Sequence, residues 1–110
     1  MLYKFKSQAT GDLIMLEPNG RQILKIIGRN DTGSLARGII RPPEMPSVIV
    51  ALQAAVEAEE ARLKQARQDA LDRGETLDPP EGISLRQRAA PFIDMLKRCI
   101  AEDQDLVWGV

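Results

Sequence analysis

The residues best placed to bind a ligand lie at the start of the predicted last helix. Ser84, Arg86, Gln87 and Arg88 follow one another closely there. Free backbone N–H groups and the positive end of a helix dipole attract anions, so these four residues form a candidate site for a small anion or other ligand. Ser84 and Gln87 also match the reciprocal capping box, which would occupy the same N–H groups. The sequence leaves both interpretations open.

The charges of that helix are in an unusual order. Arginines lie at its start and carboxylates at its end, opposite to what the helix dipole favours, and each such charge costs roughly 0.3–1 kcal/mol. We therefore expect other groups to compensate. Antiparallel packing would bring Asp69 and Asp72 of the preceding helix close to the two arginines. At the other end, Arg98 would pair with Glu102, four residues later.

Catalytic chemistry finds little support. Histidine is absent, and most acid–base and nucleophilic catalysis at neutral pH uses it. Nothing in the sequence brings two carboxylates together in an apolar pocket, where their pKa values would shift toward catalytic use. The candidate carboxylates are Asp12, Glu17, Asp94, Glu102, Asp103 and Asp105. We expect that the chain is not an enzyme.

Metals and cofactors are not expected either. Cys99 is the one cysteine, and without histidine it leaves too few ligands for zinc or an iron–sulfur cluster. It lies on the apolar stripe of the last helix, which predicts a buried, inert thiol. The glycines are scattered singly, and the carboxylates lack the spacing of a calcium loop. We therefore predict no bound nucleotide, no calcium and no other cofactor.

Length and charge restrict the class of protein further. A chain of 110 residues with a net charge of −1 fits a single domain over residues 1–110 and lacks the positive charge of a general nucleic-acid-binding protein. No apolar run approaches the roughly 20 residues that span a bilayer. The start of the chain lacks the apolar segment of a signal peptide. These features predict a cytoplasmic protein that does not bind membranes.

The first part of the chain predicts a hairpin and one helix. Alternation in Leu2–Lys6 indicates a half-buried strand, and the wholly apolar Leu13–Leu16 indicates a second strand, covered on both faces. Helical spacing predicts a helix over residues 18–28 that Gly28 stops. Turn-forming residues then predict a mobile loop over residues 29–37. A very short extended segment follows at residues 38–40.

A long helix is predicted over residues 46–73, because nothing breaks the pattern between Pro46 and Gly74. It would extend roughly 42 Å, and its first half would face the core. Residues 57–82 would form a helical arm and a return loop. A thin seam of apolar and small residues along this helix is the candidate partner interface: Val56, Leu63, Ala66 and Ala70. We expect the seam to form a homodimer or to dock a protein partner.

The last helix begins after Ser84, and Pro91 is expected to kink it or to break its first turn. Residues 106–110 predict a closing strand that joins the sheet and holds Trp108 in place. The predicted fold class is α+β. A small sheet, made of the N-terminal hairpin and the C-terminal strand, packs against three helices, of which the middle one is long.

Several segments together resemble a known family. They are MLYKFKS at the start, the run from Asp12 to Met15, ILKIIG ending at Gly28, Gly38 with Ile40, GISLRQRAAPFIDML over residues 82–96, and the pair Val107 and Trp108. In their order and spacing they resemble the uncharacterised bacterial family called domain of unknown function 1840. The resemblance covers nearly the whole chain apart from the alanine-rich arm and its return loop. It implies no catalytic or binding residue.

Two functions remain open from the sequence. The leading interpretation is a non-enzymatic interaction or adaptor module that self-associates or docks a protein through its long helix. The alternative is a regulatory protein that binds a small anion or ligand at the start of the last helix. A ligand that binds only the folded state raises its stability, so a ligand-dependent melting shift would separate the two.

Overall fold

The computed structural model describes residues 2–76 and 84–109. Strands β1 (Leu2–Lys6) and β2 (Leu13–Leu16) are followed by helices α1 (Glu17–Ile26) and α2 (Thr32–Ala36) and by strand β3 (Gly38–Ile40). A 3-10 turn over Pro42–Glu44 leads into helix α3 (Met45–Asp72), which is followed by helix α4 (Leu85–Glu102) and strand β4 (Leu106–Trp108). The predicted α+β class with a long middle helix is confirmed.

The strands form one antiparallel sheet in the order β2-β1-β4-β3. Phe5 of β1 and Gly38 of β3 both lie opposite Trp108 of β4. β4 therefore joins the N-terminal hairpin to β3. The predicted hairpin, the short extended segment and the closing strand are confirmed. Val110, at the end of the predicted closing strand, lies outside the described residues.

The core lies between one face of the sheet and the helices. Strand side chains that point to this face are buried: Phe5, Met15, Ile40, Leu106 and Trp108. They share a cluster with the apolar sides of three helices, which contribute Ile23, Leu24, Ile49, Leu52, Phe92 and Leu96, among others. Alternation along the strands explains this division, because successive side chains point to opposite faces.

β2 is an edge strand with one face open to solvent. Ile14 and Leu16 are 53% and 62% exposed, whereas Met15 between them is buried. The prediction that Leu13–Leu16 is covered on both faces is therefore wrong. An unbroken apolar run is typical of a strand buried on both sides, but here only the face toward the helices is covered.

The predicted loop over residues 29–37 contains helix α2. Asp31 caps this helix, because its carboxylate accepts hydrogen bonds from the Ser34 hydroxyl at 2.5 Å and from the Ser34 backbone N–H at 3.2 Å. These two bonds hold the pKa of Asp31 below its ordinary value. Asp and Ser favour loops and helix starts alike, which is why the pattern alone does not reveal the helix.

Trp108 is fully buried in the sheet. Its indole Nε1–H donates to the backbone carbonyl of Ser34 at 2.9 Å. The ring lies so close to Gly38 that a Cβ at that position would overlap it. The close approach of the indole therefore requires glycine at position 38.

Both long helices are continuous, and α4 continues through Pro91. α3 has 28 residues and spans about 42 Å. α4 runs from Leu85 through Pro91 to Glu102, so its first turn is not broken. A kink at Pro91, the other predicted outcome, stays a prediction. Most of the predicted return loop over residues 74–82 lies outside the described residues. In the described part of the chain, no helix is long and apolar enough to cross a bilayer.

Candidate functional site

The start of α4 is fixed against the middle of α3. The backbone N–H of Leu85 donates to Glu59 Oε2 at 3.2 Å. Arg86 binds the Glu60 carboxylate with two hydrogen bonds, from Nε at 2.8 Å and from Nη2 at 2.7 Å. The remaining turns of α3, after Glu60, therefore lie beyond the first turn of α4.

This contact identifies the groups that compensate the charge order of α4. The predicted compensation by Asp69 and Asp72 is wrong, because Glu59 and Glu60 occupy that position. Asp69 lies nine residues after Glu60, which is roughly 13 Å farther along the helix. Its side chain and that of Asp72 instead accept hydrogen bonds from glutamines one turn earlier, at 2.9 and 3.0 Å.

The Arg86–Glu60 pair changes the acidity of both groups. The hydrogen bonds from Arg86, with the attraction of its charge, hold the pKa of Glu60 below the ordinary value of 4.5. The same hydrogen bonds, with the negative charge of Glu60, raise the pKa of Arg86. The two side chains are nevertheless 61% and 48% exposed, so water screens the pair. Arg86 is thus engaged within the chain.

Arg88 points away from Arg86, as their spacing predicts. Its Nη1 donates to Asn19 Oδ1 of α1 at 2.9 Å. Its Nε is buried and has no hydrogen-bond partner among the described residues. The guanidinium therefore joins α4 to α1 and lies to one side of the helix start.

The capping box accounts for most free N–H groups at the start of α4. The Ser84 hydroxyl accepts from the Gln87 N–H at 3.2 Å, and Gln87 Oε1 accepts from the Ser84 N–H at 3.0 Å. With Leu85 bound to Glu59, three of the four unpaired donors that a helix start offers have partners in the chain. The arrangement serves to hold the helix, and it leaves only the Arg86 N–H for an anion.

The end of α4 is closed by the backbone. Asp103 adopts the left-handed conformation with φ of 55°, and its N–H donates to the carbonyl of Ile100 at 3.3 Å. The N–H of Gln104 donates to the carbonyl of Cys99 at 2.9 Å. The predicted Arg98–Glu102 ion pair is not among the ion pairs of the described residues. Both side chains are exposed, where such a pair gains little over water.

The predicted partner interface offers little apolar surface. Val56 and Ala70 are only 5% and 2% exposed, and Leu63 and Ala66 are half-buried. Val56 packs in the core cluster. Leu71 is the large apolar side chain that the arm exposes. The helical spacing locates the apolar side of α3 correctly, but this side is mostly turned toward the chain itself.

An apolar surface that sequence reasoning missed covers the outer face of the sheet. We call it the open sheet face and define it by four exposed residues: Leu2, Ile14, Leu16 and Ile39. Leu2 lies directly opposite Leu16, and Ile14 lies opposite Lys4. The lysines of β1 already indicate in the sequence which face is wet. Their hairpin register could have located Ile14 and Leu16 on the same face.

The described part of the chain brings no group of metal ligands together and buries its one thiol. Among residues 2–76 and 84–109, no three or more potential metal ligands come together. Cys99 is fully buried, as predicted. Its Sγ lies 3.2 Å from the Ser7 hydroxyl oxygen, to which it donates. The thiol thus packs in the core beneath the turn that follows β1.

Comparison with known families places the chain but assigns no chemistry. A family model described as a domain of unknown function, DUF1840, matches residues 1–108. The chain belongs to this family. Searches of curated proteins and of solved structures find no match. Membership of DUF1840 confirms the resemblance carried by the sequence segments and gives no role to any residue.

Proposed function

We propose that this DUF1840 chain is a non-enzymatic interaction module that self-associates and that its docking surface is the open sheet face. The observation that carries the proposal is the exposure of Leu2, Ile14 and Leu16, at 63%, 53% and 62%. Three neighbouring aliphatic side chains on one face are uncommon on a monomer without a binding role. Covering them would favour association.

The size of the effect is modest. Full burial of a Leu or Ile side chain contributes roughly 1.5–3 kcal/mol, so covering three half-exposed ones on each of two copies contributes roughly 4–9 kcal/mol. Association also costs free energy for lost motion. We therefore expect a weak, reversible complex that forms at high protein concentration.

The arm of α3 is the second surface that could carry association, as the sequence suggests. Beyond Glu60 it exposes Leu71 and part of Leu63. Most of its other exposed side chains are charged or polar. The arm therefore offers a smaller apolar contact than the open sheet face.

Sedimentation velocity up to high micromolar concentration distinguishes the two surfaces. We expect a concentration-dependent dimer that Ile14→Glu weakens at least tenfold, because the new carboxylate would be buried in the contact. The new carboxylate lies opposite Lys4 within the chain, which favours the folded monomer. Val50→Glu is the matched control, because Val50 is 63% exposed on α3 and lies outside the open sheet face.

Two outcomes would contradict the proposal. A strict monomer at high micromolar concentration would overturn self-association. A dimer that Leu63→Asp and Leu71→Asp disrupt, and that Ile14→Glu leaves intact, would move the interface to the arm. Near-ultraviolet circular dichroism of Trp108 checks that each variant is folded.

A further inference from the structure

The free edge of β2 points to the geometry of this self-association. We propose that two copies pair their β2 strands antiparallel about a two-fold axis at Met15, which joins two four-stranded sheets into one. This inference rests on the proposed self-association and specifies its partner as a second copy of the chain.

The two edges of the sheet are protected to different degrees. At the β3 edge, Arg29 Nη2 donates to the backbone carbonyl of Ile39 at 3.2 Å. A charged side chain that covers a backbone group is one way of protecting a sheet edge. β2 pairs with β1 on one side only and is the outer strand of the described sheet. Its four residues include neither charge nor proline.

The pattern of side chains selects one register. Strands that pair must place residues of the same face opposite each other. With Met15 on the axis, Ile14 lies opposite the partner's Leu16, and by symmetry the same pair occurs twice. With Ile14 on the axis, the exposed Asp12 would lie opposite the partner's Leu16. The first register places Ile14 and Leu16 of the two copies opposite each other and keeps Asp12 away from them, so it is favoured. Leu2 and Ile39 lie on other strands and stay outside this contact.

Charge complementarity supports the same register. It brings Asp12 toward the partner's Pro18, in the first turn of α1. The start of α1 has no side-chain cap, so its positive end can attract a carboxylate. Glu17 in that turn is already bound to Arg21 at 3.0 Å, which reduces its repulsion of Asp12. Each copy would thus contribute one carboxylate to an uncapped helix of the other.

Cysteine cross-linking tests the register directly. Ile14→Cys and Leu16→Cys are made separately, one of them with a tag that changes its size, and are mixed under mild oxidation. Residues directly opposite in an antiparallel pair are about 4.5–5.5 Å apart at Cα, which suits a disulfide. We expect a disulfide between the two variants. Each variant alone should link poorly, because like positions would be diagonal and roughly 7–8 Å apart. The wild-type chain is the control, since Cys99 is fully buried.

The outcomes separate this inference from the proposed function. Efficient linking of Ile14→Cys to itself would overturn the Met15-centred register. A dimer that sediments normally and forms no link in the mixture would overturn edge pairing, while the open sheet face would remain a docking surface. A monomer would overturn both.

A charge variant tests the contact with α1 independently. Asp12→Asn should raise the dimer dissociation constant several-fold, because two carboxylate–helix contacts per dimer lose their charge. Asp105→Asn is the control, since Asp105 precedes β4, an interior strand of the sheet. An unchanged dissociation constant for Asp12→Asn would contradict the proposed register.

Discussion

Single side chains decide how the two long helices meet. Arg86 and Glu60 form a bidentate ion pair at the start of α4. Arg88 donates a hydrogen bond to Asn19 of α1. These contacts offset the unfavourable charge order of α4. The sequence predicts that the arginines need acidic partners, but not which ones, because the point at which α4 meets α3 depends on the length of the connection between them.

The carboxyl of Glu60 should titrate below its ordinary pKa of 4.5, because Arg86 stabilises its charged form. Since the folded-state pKa is lowered, the pair stabilises the fold above about pH 4.5. That contribution is lost as the pH falls through the lowered value. Carbon-detected NMR titration of the carboxyl should show the shift. Arg86→Ala should abolish it, and Arg62→Ala should leave it unchanged.

Gly38→Ala should destabilise the fold by about 1–3 kcal/mol, because the new methyl group would overlap the Trp108 indole and overpacking costs this much. Urea unfolding monitored by Trp fluorescence measures the change. Gly11→Ala is the control, since nothing lies within 4 Å of a Cβ at that position and an effect within about 0.5 kcal/mol is expected there. Equal stability of the two variants would contradict the close packing of Trp108.

Among the elements, α4 depends most visibly on its cap. Ser84→Ala should cost about 1 kcal/mol, as loss of a good N-cap usually does. Ser84→Asp should keep nearly full stability, because its carboxylate can accept the same hydrogen bond and favours the helix dipole. Chemical unfolding of the three proteins gives the comparison. A neutral Ser84→Ala would show that Glu59 alone holds the helix start.

The same cap makes a prediction about anions. Phosphate or sulfate at millimolar concentration should shift neither the melting temperature nor the amide signals of residues 84–88, because Ser84, Gln87 and Glu59 already bind the donors. Sodium chloride at equal ionic strength is the control for screening. A saturable shift that Arg88→Ala removes would restore the anion site.

Helices and strands were predictable where the spacing of apolar residues repeats along the sequence and neighbouring elements have little influence on the local structure. The spacing of α3 and α4, the capping box at Ser84 and the alternation in β1 all indicate the observed structure. β2 and α2 differ because their state depends on neighbours. In a wholly apolar strand such as β2, the residues of the two faces do not differ in polarity. The packing of other elements decides which face is covered. The open sheet face was missed for that reason, although the lysines of β1, read with the hairpin register, indicate which face of β2 is exposed.

On the scale of the whole molecule, α3 makes the chain elongated. The radius of gyration is 16.0 Å, compared with about 13 Å for a compact domain of this length. The molecule measures 52 × 28 × 24 Å. The arm beyond Glu60 accounts for the long axis. The open sheet face and the arm are therefore separate surfaces, and a partner that binds one of them does not have to contact the other.

Loss of β4 should remove cooperative folding. A chain that ends at Asp105 lacks the strand between β1 and β3 and the buried Trp108, whose loss alone typically costs about 3–5 kcal/mol. This approaches the whole stability of a small domain, roughly 5–15 kcal/mol. Thermal unfolding followed by far-ultraviolet circular dichroism should lose its sharp transition. A cooperative transition near that of the intact chain would contradict the central role of β4.

The order of the strands also bears on how the protein is made. β1 and β3 are synthesised long before β4, which must insert between them. During translation the hairpin can form early, but β3 has no neighbouring strand to pair with until Leu106–Trp108 leaves the ribosome. Closing a contact between Phe5 and Trp108 spans nearly the whole chain, and such distant contacts slow folding. The nascent chain therefore has a period in which its apolar strands are available to chaperones, and this period lasts until β4 has left the ribosome.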